Sequence, residues 1–272
     1  MTDSGLSPAE DARSARRAVV AMIVAGVVAA VVGGSAGAVL ALRHGSGSAA
    51  SASSAVEPTR RAVPRSIASL PLVNEEGQVE PLSRLRGHVV VMADFMTSCG
   101  EECPITLGAL LQVERSLAAA RLLGRVQIVE VSIDAWRDTP ARLRAYQRYT
   151  GAHWTMLTGS VPELDRFWSF FGVTYWRVPE GRPPSINWET GRPYTFDIDH
   201  SDDVFVLGPD GNERYVAAGS ADVGGHLPAR LRRLLDPLGR QDLAHPGYGA
   251  WTPAELLSSV GALVGRPIPL SS

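Results

Sequence analysis

The distribution of hydrophobic and polar residues along the chain predicts alternating strands and helices. Short apolar, β-branched runs indicate buried strands, and apolar residues that recur every three or four positions indicate helices. The predicted strands cover residues 88–95, 126–133 and 154–157. The predicted helices cover residues 105–123, 139–150, 161–172, 225–236 and 251–263. A strand–helix–strand order predicts a parallel unit with a right-handed crossover.

A hairpin is predicted after this parallel unit. Residues 203–207 and 213–218 read as two strands, and the segment Gly208–Gly211 (GPDG) between them is typical of a turn. A parallel unit with a trailing hairpin and helix predicts an α/β, thioredoxin-like fold. Two segments exceed that pattern: a Pro- and aromatic-rich inserted loop at 176–196 and a C-terminal extension at 239–272.

The N-terminal part of the chain predicts a membrane anchor. Residues 18–42 contain no charged side chain, and about 20 apolar residues are enough to span a bilayer. Arginines within residues 1–17 favour a cytoplasmic N-terminus, so the main domain is expected outside the cytoplasm, held to the cell membrane by a single pass. Residues 43–66 are predicted to be a flexible linker. A cleaved signal peptide is the alternative interpretation.

The length and the net charge of the chain limit the number of domains and the kinds of partner that it can have. The chain has 272 residues, which fits one domain, predicted at 67–238, together with an anchor and a tail. The formal net charge is −2. Because nucleic-acid binding needs a clustered basic face, no nucleic-acid partner is expected.

The chain contains two cysteines, Cys99 and Cys103. They follow a predicted strand directly and precede a helix predicted to begin near Pro104. The partial positive charge at a helix N-terminus lowers the pKa of a thiol and stabilises the thiolate. A disulfide, a redox dithiol and a metal-binding pair are all compatible with this spacing.

A metal held by two thiolates needs further ligands, and soft thiolates favour Cu(I), while imidazole suits both copper states. His200 lies in a polar loop directly before the predicted hairpin, where it could face the cysteine loop. On the residues alone, ligation and simple solvation of this histidine both stay open. Met96 offers a soft thioether near the cysteines, but core packing is the favoured interpretation.

Four ordered segments make the sequence recognisable. They are Phe95–Pro104 (FMTSCGEECP), Ser132–Pro140 (SIDAWRDTP), Trp154–Gly159 (WTMLTG), and Asp199–Ser201 (DHS) followed by GPDG. Together they resemble the Sco/SenC family, copper-binding assembly factors of cytochrome c oxidase, over roughly residues 67–238. The resemblance implies that Cys99, Cys103 and His200 bind copper, as Cu(I) or Cu(II). Asp199 is expected either to tune the site from outside the ligand set or to cap its loop, and Asp134 is interpreted as structural.

The resemblance also implies a function. It favours a membrane-anchored copper metallochaperone that delivers copper to the binuclear copper site of cytochrome c oxidase. Its partners would be the copper-binding subunit of the oxidase and another copper carrier or a thiol reductant. Two alternatives remain: a thiol–disulfide reductase that keeps the oxidase's cysteines reduced, and an interaction domain with a structural disulfide. Enzymatic activity therefore stays open, with a non-enzymatic chaperone favoured.

Overall fold

The structure is a computed structural model that describes residues 55–247 and 249–271. The predicted N-terminal tail, the predicted anchor at 18–42 and most of the predicted linker lie outside the described residues. Within the described ranges, every helix is too short or too polar to cross a bilayer.

A seven-stranded mixed sheet forms the centre of the fold. Its strands are β1 (Val56–Arg61), β2 (Val73–Asn74), β3 (Val89–Phe95), β4 (Val126–Ser132), β5 (Thr155–Thr158), β8 (Asp203–Leu207) and β9 (Glu213–Ala218). Their order is β1-β9-β8-β3-β4-β5-β2, and a separate two-stranded sheet pairs β6 (Tyr175–Val178) with β7 (Asp197–His200). Strands β3, β4 and β5 run parallel, and every other pairing is antiparallel.

Seven helices and one turn of 3-10 helix accompany these sheets in the described residues. They are α1 (Arg65–Ala68), α2 (Cys103–Ala119), α3 (Pro140–Thr150), α4 (Val161–Phe171), α5 (Ala229–Arg232), α6 (Pro237–Ala244) and α7 (Pro253–Val264), with the 3-10 turn at Leu82–Leu85. Local chemistry sets their ends. Thr139 caps α3, Ser160 caps α4 within a capping box, and both helices stop at a left-handed glycine.

Strand β3 lies in the middle of the sheet and is buried along its whole length. A strand covered on both faces reads as a continuous apolar run rather than an alternating one, which explains the sequence VVVMADF. The connection β3–α2–β4 and the hairpin β8–β9 confirm the predicted thioredoxin-like α/β fold.

Two helix predictions were wrong in their bounds. Helix α2 begins at Cys103, so the second cysteine is helical, and it ends at Ala119 rather than at residue 123. It ends early because Arg121 adopts a left-handed conformation (φ 54°) and the Leu122 N–H donates to the Leu117 carbonyl oxygen at 2.8 Å. The predicted helix 225–236 is instead the short α5, and α6 starts again at Pro237 with Asp236 as its cap.

The folded region extends beyond the predicted 67–238 domain at both ends. Strand β1 lies within the predicted linker and pairs with β9. At the other end, the side chains of Trp251, Leu256 and Val260 are fully buried. Helix α7 packs against α2 and is therefore part of the hydrophobic core.

Candidate metal centre

Three separate elements bring the two cysteines and the histidine together. Cys99 lies in the loop that follows β3, Cys103 is the first residue of α2, and His200 is the last residue of β7. The Cys103 Sγ lies 3.9 Å from the His200 Nε2. The donor atoms of all three residues lie within 4.8 Å of one another. The structure thus places all three residues predicted as metal ligands in one cluster.

The two thiols differ in their electrostatic environment. The backbone N–H groups of Glu101 and Cys103 each donate to the Cys99 Sγ at 3.4 Å. A hydrogen bond from the Cys103 side chain lowers the pKa of Cys99 well below its usual value. Burial raises the pKa of Cys103 well above its usual value. Cys99 is therefore the more acidic thiol of the pair.

Two buried carboxylates fix the cysteine loop from the side of β4. The backbone N–H and the hydroxyl of Thr97 donate to the two oxygens of Asp138, at 3.1 and 2.5 Å. The hydroxyl of Ser98 donates to Asp134 at 3.4 Å. Asp134 also accepts hydrogen bonds from the backbone N–H groups of Trp136 and Arg137. These contacts agree with the structural role expected for Asp134.

Helix α6 supports the same loop from the other side. The Asp236 N–H donates to the Gly100 carbonyl oxygen at 2.8 Å. A Cβ built on Gly239 would lie 2.9 Å from the Cα of Glu101 and closer still to the Gly100 carbonyl oxygen. Glycine is required at position 239 because the helix and the cysteine loop approach backbone to backbone.

The other ring nitrogen of His200 faces oxygen atoms. Its Nδ1 lies 2.8 Å from the Ser201 carbonyl oxygen, and a carbonyl can only accept, so Nδ1 carries a proton. The same nitrogen lies 3.2 Å from Asp94 Oδ2 and 3.6 Å from Asp202 Oδ1. Burial lowers the pKa of the imidazole, but the charges of Asp202 and Asp94 raise it, to a net value well above the usual one. This arrangement directs Nε2 toward the thiols.

The carboxylates beside His200 are not the one that the sequence indicated. Asp199 pairs with Trp176 across β6 and β7, and neighbouring residues along a strand point to opposite faces. The oxygens near the ring belong to Asp94 and Asp202, which the sequence analysis missed. Asp94 did leave a signal, since it is the single charged residue in the apolar run 88–95. Asp202 left none.

The inserted loop at 176–196 packs on α3. Trp188 lies with its ring centroid 5.5 Å from that of Tyr146. Arg142 joins this loop to the cysteine loop, because its guanidinium donates to the hydroxyls of Tyr194, at 2.7 Å, and Thr97, at 2.6 Å. The insertion therefore helps to hold the segment that leads into Cys99.

The donor atoms suit a single copper ion. With bonds of about 2.3 Å to sulfur and about 2.0 Å to nitrogen, ligands in a trigonal arrangement lie roughly 3.7 Å apart. The observed separation between Cys103 and His200 is 3.9 Å. Two thiolates and an imidazole match the preference of copper for soft and borderline ligands. Met96 is 2% exposed and belongs to the core, as expected.

The fold and the cluster together define a thioredoxin-like protein whose cysteine pair is completed by a histidine from a separate small sheet. A family model described as SCO1/SenC matches residues 60–234. The match covers more than half of the chain, and the protein belongs to the SCO1/SenC family.

Individual proteins and solved structures are similar to parts of this chain. A Stutzerimonas stutzeri protein named for copper binding is 30% identical over 183 residues, which are 67% of this chain and 76% of that protein. The mitochondrial SCO2 homolog of Bos taurus is 29% identical over 153 residues, 56% of this chain and about half (54%) of the bovine protein. Among solved structures, Bradyrhizobium japonicum ScoI with copper bound is 20% identical with a TM-score of 0.45, covering 69% of this chain and 96% of that one.

Proposed function

We propose that this protein is a copper metallochaperone that binds one copper ion through Cys99, Cys103 and His200. The observation that carries the proposal is the convergence of these three donor groups within 4.8 Å. A site with few protein ligands suits a cargo ion, because copper can leave by exchanging one ligand at a time with an acceptor. A structural zinc site, in contrast, is closed by four protein ligands.

The acceptor proposed here is the binuclear copper site of cytochrome c oxidase, reached through the copper-binding subunit of that enzyme. Family membership and the SCO2 relatives support this choice of partner. We place the domain outside the cytoplasm, tethered by residues 18–42 as a single-pass anchor. The uncharged length of that segment supports the tether.

Copper stoichiometry tests the proposal directly. The full chain, purified in detergent and fully reduced, is titrated with Cu(I) in competition with a chromogenic chelator. We expect one copper per chain and a loss of affinity of more than about 100-fold in His200→Ala, because a ligand is removed. His153→Ala is the matched control, since that side chain is 76% exposed and contacts Glu114. Equal affinity in His200→Ala and the wild type would exclude His200 as a ligand.

A thiol–disulfide reductase is the second candidate, favoured by the low pKa of Cys99 beside a second thiol. The Cys99 thiolate would attack a substrate disulfide, form a mixed disulfide and release one substrate thiolate. Cys103 would then lose its proton and attack Cys99, which releases the second substrate thiol and leaves a Cys99–Cys103 disulfide.

His200 separates the two candidates, since metal binding needs its imidazole as a ligand, whereas in disulfide exchange the imidazole only helps to lower the pKa of Cys99. We expect His200→Ala to lose copper but to retain exchange with a small disulfide, at a lower rate near neutral pH because the pKa of Cys99 rises. If the reduced wild type binds no copper and still exchanges readily, the reductase replaces the chaperone as the proposed function.

A further inference from the structure

The two ends of the inserted loop at 176–196 meet the loop that follows β4 in a surface that the metal centre does not use. We propose that this surface, formed by Trp136, Arg177 and Phe196, docks a carboxylate-bearing segment of the protein that receives the copper. It is named here the arginine–aromatic patch. The choice of the copper acceptor as the partner rests on the proposed chaperone function, whereas the preference for a carboxylate rests on the geometry of the patch.

The guanidinium group of Arg177 is stacked on aromatic rings. Its central carbon lies 3.8 Å from the ring centroid of Phe196 and 5.5 Å from that of Trp136. The guanidinium carbon of Arg137 lies 4.0 Å from the same Phe196 centroid. Because two guanidinium groups cannot share one side of a ring at these distances, they lie on opposite faces of Phe196. Stacking covers the faces of a guanidinium and leaves the N–H groups along its edge able to donate.

The two arginines differ in how their charge is balanced. The side chain of Arg137 is 14% exposed and forms an ion pair with Asp134. Arg177 is exposed, and in the described part of the chain it forms no ion pair with a carboxylate. The patch therefore presents a positive charge at the surface that an external carboxylate can balance.

The patch lies next to the metal centre on the same face of the small sheet. Arg177 pairs with Ile198, which precedes His200 by two residues on β7. Residues two apart on a strand share a face and lie about 7 Å apart. The intervening Asp199, like Asp197, points to the opposite face. A segment that contacts Arg177 therefore lies beside a predicted copper ligand.

Trp136 supplies an apolar surface in the patch. Its side chain is 41% exposed, and its ring packs edge-on against Phe196 with the centroids 6.4 Å apart. Its backbone N–H donates to Asp134 at 3.2 Å, and the same carboxylate accepts the hydroxyl of Ser98 beside Cys99. Tryptophan and arginine are among the residues that contribute most to protein–protein binding. The position of the indole is thus tied to the cysteine loop.

A carboxylate beside an apolar side chain complements both parts of the patch. An aspartate or glutamate of the partner would accept two hydrogen bonds from the guanidinium edge of Arg177. An apolar neighbour in the partner would cover the indole of Trp136. Docking in this way brings the ligands of the acceptor close to the bound copper. It therefore raises the rate of copper transfer and leaves the affinity for copper unchanged.

Copper transfer to a protein acceptor tests the patch. The full chain, purified in detergent and loaded with Cu(I), is mixed with the copper-free soluble domain of the copper-binding subunit of cytochrome c oxidase. The transfer rate is followed as a function of acceptor concentration. We expect Arg177→Gln to lower the second-order rate constant by about 10-fold or more. Its Cu(I) affinity, and its transfer to a small chelator that needs no docking, should equal those of the wild type.

Arg192→Gln is the matched control, because Arg192 is exposed in the same inserted loop and the substitution removes the same charge. It should transfer copper at the wild-type rate. Trp136→Ala is a second variant, expected to slow transfer to the protein acceptor and not to the chelator. Its control is Leu123→Ala, at a side chain that is 50% exposed in the loop before β4.

The outcomes separate the patch from the proposed function. A wild-type rate in Arg177→Gln, or an equal slowing in Arg192→Gln, would overturn the patch and leave the chaperone function in place. If the wild type transfers no copper to the acceptor, the proposed function fails, and calorimetry of the copper-free chain with the same domain decides the patch. Binding that Arg177→Gln weakens by about 10-fold or more supports it. The absence of binding, or binding that Arg177→Gln leaves unchanged, overturns it.

Discussion

Two buried carboxylates interrupt the apolar run of the central strands. Asp94, in β3, contacts His200. Glu130, in β4, is 1% exposed and accepts a hydrogen bond from the Trp154 indole N–H at 2.8 Å. Burial raises the pKa of Glu130 to about 8. Its carboxyl group is therefore protonated in the folded chain at neutral pH.

Glu130→Gln is expected to stabilise the protein at high pH. Between pH 4.5 and about 8 the folded chain holds a proton that the unfolded chain has released, so the free energy of unfolding falls as the pH rises through this window. Glutamine keeps the acceptor for Trp154 and cannot ionise. We expect a gain of about 2 to 4 kcal/mol at pH 8 and little change at pH 4.5.

Urea denaturation at a series of pH values measures this effect. Glu76→Gln, at an exposed position, is the matched control and should leave the pH profile as in the wild type. A Glu130→Gln variant whose stability falls in parallel with the wild type from pH 5 to 8 would contradict the assignment.

At the scale of elements, the sequence located the strands better than the helix ends. Strands β3 and β4 were predicted to within one residue, because continuous β-branched runs have few alternatives. The predicted helix 225–236 failed for a different reason. Its Leu227, Leu231 and Leu235 are all buried at helical spacing, yet the helix is interrupted after residue 232. Periodicity reports which face is buried and not whether the helix is continuous.

The residues of the candidate site also fall into those that the sequence could identify and those that it could not. Family resemblance identified Cys99, Cys103 and His200, which the structure brings together. The contact of Asp94 with His200 could not be found in this way, because that distance depends on how the β6–β7 sheet lies against β3. No local pattern in the sequence records that placement.

Helix α6 supports the cysteine loop by backbone contact, so Gly239→Ala is expected to displace that loop. The added methyl group would meet backbone atoms of Gly100 and Glu101, which cannot rotate away as a side chain can. We expect a loss of about 1 to 3 kcal/mol in the free energy of unfolding and weaker Cu(I) binding. Chelator competition and thermal melting measure the two effects.

Gly247→Ala is the control for this prediction, because a Cβ at that position has no atom within 4 Å. Because alanine is a better helix former than glycine, Gly239→Ala would stabilise α6 if nothing obstructed the added methyl group. A more stable Gly239→Ala variant with unchanged copper affinity would therefore show that the close approach does not constrain the loop.

At the scale of the whole molecule, the C-terminal tail belongs to the fold. Helix α7 places Leu256 and Leu257, both fully buried, against the rest of the core. Trp251 is also buried, and its indole N–H donates to the Gly219 carbonyl oxygen at 2.9 Å. The tail thus stabilises the sheet on which the candidate metal centre is built.

Two leucine substitutions in the same tail test this role. Leu257→Ala should lower the free energy of unfolding by about 2 to 5 kcal/mol, because it opens a cavity in the core. Leu270→Ala, at a side chain that is 45% exposed, should change the free energy of unfolding by no more than about 0.5 kcal/mol. Chemical denaturation measures the free energy of unfolding of both variants. Equal losses in the two variants would show that α7 does not unfold together with the rest of the domain.

The contact between Asp236 and Gly100 also has a consequence for biosynthesis. A ribosome makes the cysteines long before it makes α6, and at about 5–20 residues per second the interval is on the order of ten seconds. During that time the hydrogen bond to Gly100 and the packing of Gly239 do not exist. The nascent chain therefore carries Cys99 and Cys103 without this support, and the candidate metal centre can reach the geometry described above only after α6 has been made.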